Sequence, residues 1–477
     1  MKKIILIEPK SPNLHIYSQY PLPRLGLYIL GNLMENKGWE VEICFEENQK
    51  IDFDRIKTAN LVGISTITST APRAYAIADK VREMNIPVIM GGPHVTFLTN
   101  EALKHTDYVI RGEGEEALPA FIDAWEKDRN FSKVPNLSYR KNGKLIHNPL
   151  NPFIQDLDTI HTPDFSKYSF HAKSPGSFRT IPIQTSRGCP FNCTFCSVTG
   201  MFGRKYRLRS IQNIIEELRR YNNRKNFIFF YDDNFAANKK RAKELLRAMI
   251  AENFKFKWST QVRADVAKDK ELLKLMKKSG CYYLYIGLES INPKSLESMK
   301  KKQTLEEIIQ AVKAIRRFRI HIHGMFVYGF DDDTWATVKK TVKFAKKVKL
   351  SSTQFLILTP LPGSRLFNKI VSERRLLFKD WSLYDAHHVV FQPARLTLAA
   401  LQKAQIISHK KFYSIRQMIK NTLRFKWIEL GIAHYARNLN KLWQKKNKTY
   451  LKVVDLLTFK KNAQIKVDYR QDITLDR

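Results

Sequence analysis

Cysteine is scarce. There are five in 477 residues, and two of them, Cys44 and Cys281, stand far apart in stretches that read as strands. A disulfide framework is excluded, and the pattern is that of a reducing compartment in which clustered cysteines bind metal. Long apolar runs are missing as well. None approaches the roughly 20 residues of a spanning helix. Met1-Lys2-Lys3 leads only Ile4 to Ile7 before Glu8, too short for a signal-peptide core. The expectation is a cytoplasmic protein, or one held peripherally on the inner face of a membrane. Acidic residues are in deficit: 45 Asp and Glu against 82 Lys and Arg leave a formal net charge of +37. That charge raises nucleic acid, anionic membrane and acidic protein as partners. No RNA-binding motif is present, so nucleic acid is not the expected one. A hydrophobic content of 43% with 12% aromatics excludes a disordered chain, and the length allows two or three domains.

The other three cysteines share one short stretch. Cys189, Cys193 and Cys196 follow Ser186-Arg187-Gly188 with C-x3-C-x2-C spacing, and Phe195 precedes the last. A tight turn of this kind can aim three thiolates at one point, and soft ligands select zinc, Cu(I) or an iron–sulfur cluster. A structural zinc site wants four protein ligands, and no second Cys/His pair stands ready. A zinc knuckle completed by a remote residue is the alternative. The stretch resembles the cysteine motif of radical S-adenosylmethionine enzymes. The resemblance implies a 4Fe–4S cluster on Cys189, Cys193 and Cys196, with one iron left open for S-adenosylmethionine.

Residues 1–135 alternate short apolar runs with amphipathic helices, the pattern of a parallel sheet. Strands are expected at Ile4 to Glu8, Trp39 to Cys44, Asn60 to Thr66, Pro87 to Met90 and Tyr108 to Ile110. Ligands of such sheets sit beyond the carboxyl ends of the strands. Ser65 and Thr66, Gly91 and Gly92 with His94, and Gly112, Glu113 and Gly114 all fall at those ends. The run of "VGIST", "GGPH" and "RGEGE" ahead of the cysteine motif resembles the cobalamin-binding domain that precedes many radical enzymes. The resemblance implies that these residues hold cobalamin. One departure is plain: no D-x-H-x-x-G loop occurs, and His15 and His94 lack that context, so cobalamin is expected without a protein imidazole on cobalt. The tRNA methylthiotransferases also place a flavodoxin-like domain first, but theirs carries three cysteines where this one has only Cys44. A domain that kept the fold and lost its ligand is the other alternative.

Residues 136–178 read as a connector, a hairpin around Asn142-Gly143 followed by a proline-interrupted stretch. Residues 179–375 give six strand–helix units, with strands expected at Arg179 to Gln184, Asn226 to Tyr231, Phe256 to Gln261, Tyr282 to Gly287, Ile320 to Gly329 and Gln354 to Leu358. The cysteine loop follows the first strand, where α/β barrels place chemistry. "YDDNF", "QVRAD" and "IGLES" end the next three. The resemblance implies that Asp232 or Asp233 holds the ammonium of S-adenosylmethionine, that Arg263 meets its carboxylate and that Glu289 meets its ribose; the sequence does not choose between the aspartates. Residues 376–477 form a C-terminal extension, in which "DWSLYDAHHVVFQPARLTLAALQKA" resembles the segment that follows such barrels. Trp381, Tyr384, His387 and His388 either approach the substrate or seal the barrel. Phe412, Ile415, Ile419, Leu423 and Trp427 then recur at helical spacing among Lys and Arg, the pattern of a membrane-surface or acidic-partner helix.

The expected fold is α/β: an N-terminal doubly wound cobalamin-binding domain, a partial (β/α)6 radical barrel and a helical C-terminal extension. The cobalamin-dependent radical methylases and the anaerobic magnesium-protoporphyrin ester cyclase share this order. The resemblance implies reductive cleavage of S-adenosylmethionine and methylation of an unactivated carbon in a small-molecule or lipid substrate, with a flavodoxin or ferredoxin as electron donor. Cyclisation or rearrangement is the runner-up. A nucleic-acid-modifying radical enzyme and a non-catalytic cobalamin or redox sensor are the other classes.

Overall fold

The computed structural model describes residues 1–14, 22–165 and 179–459; His15, the end of the connector and the last residues of the C-terminal extension lie outside them. Its first sheet has seven strands in the order β2-β1-β3-β4-β5-β6-β7. The strands are β1 (Lys3–Glu8), β2 (Glu40–Phe45), β3 (Leu61–Ser65), β4 (Val88–Gly91), β5 (Tyr108–Ile110), β6 (Leu137–Lys141) and β7 (Lys144–His147). The first five are parallel and the last two antiparallel. Both faces are covered, which is why β1 reads as a continuous apolar run. Ile5 and Ile7 enter one core and Ile4 and Leu6 the other. The Asn142-Gly143 hairpin forms as its sequence predicts, but β6 pairs with β5, so the first sheet runs past residue 135 into the stretch read as connector.

The second sheet is six parallel strands in the order β15-β14-β13-β12-β11-β8. These are β8 (Arg179–Ile183), β11 (Asn226–Phe230), β12 (Lys257–Val262), β13 (Cys281–Glu289), β14 (His321–Tyr328) and β15 (Ser352–Ile357). A two-stranded ribbon, β9 (Ser186–Arg187) and β10 (Arg207–Leu208), brackets the cysteine loop and has no signal in the sequence. Alternation along the strands sorts two faces. Ile228, Phe230, Leu284, Ile286, Ile322 and Phe326 pack under the helices, and the residues between them line the inner wall. The helices start on short polar caps; Thr304 and Glu307 form a capping box on the helix Leu305–Arg317.

Beyond the barrel, the helix Leu398–Phe412 packs on β15 and on the helix Trp335–Lys347. The long basic series is three helices rather than one: Leu398–Phe412, Ile415–Thr422 and Trp427–Lys446. The second break falls at Phe425, whose φ is +52°. A last helix spans Lys448–Phe459.

Candidate functional site

The carboxyl ends of the two sheets face one cleft of about 350 Å³. The first domain lines it with Ser65, Gly91, Gly92, Gly112, Glu113 and Gly114, and the barrel with Gln184, Arg187, Met201, Phe202, Tyr231 and Asp233. Leu25, Leu27, Leu30, Ile64 and Ile89 make much of the wall apolar. Of the sequence-predicted residues, Thr66, His94, Asp232, Arg263, Glu289 and the three cysteines are not among its lining. Thr66 is fully buried and its hydroxyl donates to the Gly91 carbonyl at 3.1 Å, bracing the turn. His94 is also fully buried; its Nε2 lies 3.1 Å from the Tyr75 hydroxyl and 3.4 Å from Glu101, and its ring packs edge-on against Trp381. Its side chain thus turns away from the cleft and joins the first domain to the C-terminal extension. Among the described residues, no histidine lines the cleft.

The cysteine loop leaves β9 through Gly188, whose φ is +84°. A Cβ there would lie 2.3 Å from the Lys205 carbonyl oxygen, so only glycine lets the loop close on β10. The three thiols are part-buried. Burial, with the charges of Asp233 and the other two cysteines, pushes the Cys196 thiol up to about 12. Arg263, at the end of β12, stacks its guanidinium 3.8 Å over the Phe191 ring and places Nη1 4.0 Å from Cys193 Sγ.

The two aspartates after β11 part company. Asp232 is fully buried and accepts from the backbone N–H of Thr185 at 3.2 Å, from its hydroxyl at 2.9 Å and from the Ser186 hydroxyl. Burial raises its carboxyl to about 6, with those hydrogen bonds pulling the other way. Asp233 makes no hydrogen bond or ion pair among the described residues and faces the cleft. Burial, then the charge of Asp232, raises it to about 7.

A Radical SAM superfamily profile matches residues 183–345, and a B12 binding domain profile matches residues 15–122. An uncharacterised methyltransferase of Pyrococcus horikoshii is 34% identical over 87% of this chain and 92% of its own. The bacteriochlorophyllide d C-12(1)-methyltransferase of Chlorobaculum tepidum is 30% identical over 83% of this chain and 84% of its own. The chain belongs to the cobalamin-binding radical S-adenosylmethionine enzymes. Among solved structures, the radical methyltransferase TsrM of Kitasatospora setae superimposes with a TM-score of 0.67 at 18% identity, covering 78% of this chain and 76% of its own. The cobalamin-dependent radical enzyme OxsB gives 0.69 at 16%, covering 98% and 77%. Those two share the fold.

The cofactors of this radical enzyme are a 4Fe–4S cluster, S-adenosylmethionine and cobalamin, and the residues present fit them. Three soft sulfurs on one loop, close enough to raise one another's proton affinity, match a cluster bound through three of its irons. The glycine-lined, largely apolar cleft at the strand ends matches a large flat cofactor. Glu289 ends β13 with φ at +57°, a strained conformation for a side chain of its size. Its Oε1 meets Lys301 Nζ at 2.8 Å, both groups buried. Gly287 makes the room: a Cβ there would fall 2.3 Å from that carboxylate oxygen. Lys301 also accepts from Arg263 through its carbonyl, so one loop fixes both residues. Sequence reasoning missed Lys301, because nothing local marks a partner twelve residues downstream.

It also missed a clasp between the domains. Glu113 accepts from Arg187 at 3.0 Å and from Arg207 at 2.9 Å, and Arg187 reaches Glu115 as well, all largely buried. Glu113 therefore lines the cleft while holding the barrel to the first domain. The only sequence signal was Arg187 beside the cysteines.

Proposed function

We propose that this enzyme methylates an unactivated carbon of an apolar small molecule or lipid. The single observation that supports it most is the shared cleft, in which the glycine turns of the first domain face Arg187, Met201 and Phe202, which flank the cysteine loop. Three residue roles go with the proposal. Asp233 receives the ammonium of S-adenosylmethionine, since Asp232 is already committed to Thr185 and Ser186. Arg263 and the Glu289–Lys301 pair take its carboxylate and ribose. Bound together, the cluster and S-adenosylmethionine supply a carbon-centred oxidant, and cobalamin supplies the methyl group. The protein's share is positioning and exclusion of water.

The inner wall supports an apolar substrate. Phe229, Tyr231 and Tyr285 form a chain of ring contacts at 6.1 and 5.9 Å, and His323 packs 5.2 Å from Tyr285. Burial lowers His323 to about 4, so it stands neutral, bonded to the Ser352 hydroxyl at 2.7 Å. A flavodoxin or ferredoxin is the proposed electron donor. We also propose that the enzyme works at an anionic membrane surface; no helix among the described residues is long and apolar enough to cross one.

Anaerobic reconstitution with iron, sulfide and cobalamin, followed by S-adenosylmethionine and a reductant, tests the reading. Formation of 5′-deoxyadenosine, and a cell extract product heavier by one CH2, is the expected result. Product of unchanged carbon count would favour the cyclase reading, which the anaerobic magnesium-protoporphyrin IX monomethyl ester cyclase of Cereibacter sphaeroides, 28% identical over 77% of this chain and 62% of its own, keeps open. No 5′-deoxyadenosine would remove both.

A further inference from the structure

The turn between the helices Ile415–Thr422 and Trp427–Lys446 carries its apolar residues on the outside. Ile415, Ile419, Leu423, Phe425 and Trp427 are 55% to 78% exposed, and Ile428 is exposed beside them. The first three stand four residues apart and form one stripe on the helix. Met418 and Asn421 take the inward face instead, with the Asn421 carbonyl accepting from the Lys426 N–H at 2.9 Å. Phe425 and Trp427 meet edge to face at the tip, ring centres 6.2 Å apart. A soluble surface scatters such residues singly; a contiguous patch marks an interaction site.

Charge narrows the kind of partner. No Asp or Glu occurs between Phe412 and Ile428, while Arg416, Lys420, Arg424 and Lys426 interleave with the stripe. Lys426 pairs with Glu429 at 3.6 Å, but Arg416, Lys420 and Arg424 have no acidic partner among the described residues. Lys411 and Lys346 extend the same face: burial lowers Lys346, and so do the charges of Lys420, Lys411 and Arg416. Cations that crowd without counter-ions, around Trp and Phe on an aliphatic stripe, complement an anionic bilayer surface. Lipid phosphates there neutralise the cations while the rings enter the headgroup boundary.

We infer that residues 415–428 are the membrane anchor of this enzyme, seating Phe425, Trp427 and the Ile415–Ile419–Leu423 stripe in the interface of an anionic lipid bilayer. The inference rests on the proposed membrane attachment and assigns it to one turn.

The test uses the full chain and vesicles of phosphatidylglycerol or phosphatidylcholine in flotation. The wild type is expected to float with phosphatidylglycerol at low salt, to be released by high salt and to ignore phosphatidylcholine. The double variant Phe425→Ser/Trp427→Ser is expected to bind about tenfold more weakly, with an unchanged melting curve since both side chains are exposed. Leu456→Ser, at an exposed leucine on the last helix, is expected to float like the wild type. If the wild type floats and the double variant floats equally, the anchor assignment is overturned and membrane attachment stands. If the wild type does not float, both are overturned. If it fails to float and instead forms a dimer that the double variant abolishes, the patch binds a second copy and the lipid assignment is overturned. Formation of 5′-deoxyadenosine without lipid reads the catalytic proposal separately.

Discussion

The carboxylate of Asp232 closes the loop after β8, accepting from Thr185 and Ser186, while its neighbour Asp233 is left to the cleft. Asp232→Asn turns an amide donor toward donors and should cost about 1–3 kcal/mol, read as a lower melting temperature. Asp233→Asn removes a buried, unpaired charge, so above pH 7 it should raise the melting temperature rather than lower it, and it should weaken S-adenosylmethionine binding, measured by titration of the reconstituted enzyme. Equal affinity in that variant would remove Asp233 from its proposed role. Any of Cys189→Ala, Cys193→Ala or Cys196→Ala should abolish both iron retention and 5′-deoxyadenosine formation. At this scale the cysteine motif was legible as a motif, because three cysteines within eight residues need no tertiary information to be seen. His94 was not: its loop position is shared by cleft-facing and inward-facing residues, and only the packing of Tyr75, Glu101 and Trp381 around it decides.

The C-terminal helices hang on a buried polar knot. Asp385 bonds His388 Nδ1 at 2.9 Å, and His388 Nε2 reaches Asn447 at 2.9 Å, at the junction of the last two helices. Burial lowers His388, but the charge and hydrogen bond of Asp385, then Asn447, outweigh it and leave its pKa raised. Folded and unfolded values differ, so stability depends on pH. A raised imidazole contributes fully below its unfolded value of about 6.5, and the contribution is lost as pH climbs through the higher folded value. The melting temperature should therefore fall from pH 6 to pH 8, and His388→Gln should flatten that slope. His387, by contrast, lies beside the Asp385 carbonyl at 3.0 Å, so the two histidines turn to different partners. Strand and helix order were read correctly through the barrel, since buried parallel strands and capped helices advertise themselves. The ribbon of β9 and β10 was not, because two-residue strands carry no periodicity.

At the scale of the molecule, the domains are held by Glu113 between Arg187 and Arg207. Removing one member of a buried ion pair strands the others, typically at about 3–5 kcal/mol. Glu113→Gln should lower the urea midpoint by a corresponding amount and loosen the cleft, so that cobalamin is lost on desalting while iron is retained. Retention of cobalamin equal to wild type would mean that the clasp does not shape the site.

Apolar period and glycine turns determined by themselves the two α/β domains and their order, and the resemblance carried by the cysteine motif implied the cofactor chemistry, because each is written within a few neighbouring residues. Which aspartate faces the cleft, that Glu113 clasps the domains, that Lys301 pairs with Glu289, and that the stripe at 415–428 points outward were decided by the tertiary structure alone. Each depends on what lies across a gap in space, and a burial pattern along the chain cannot say which of two faces another domain will cover.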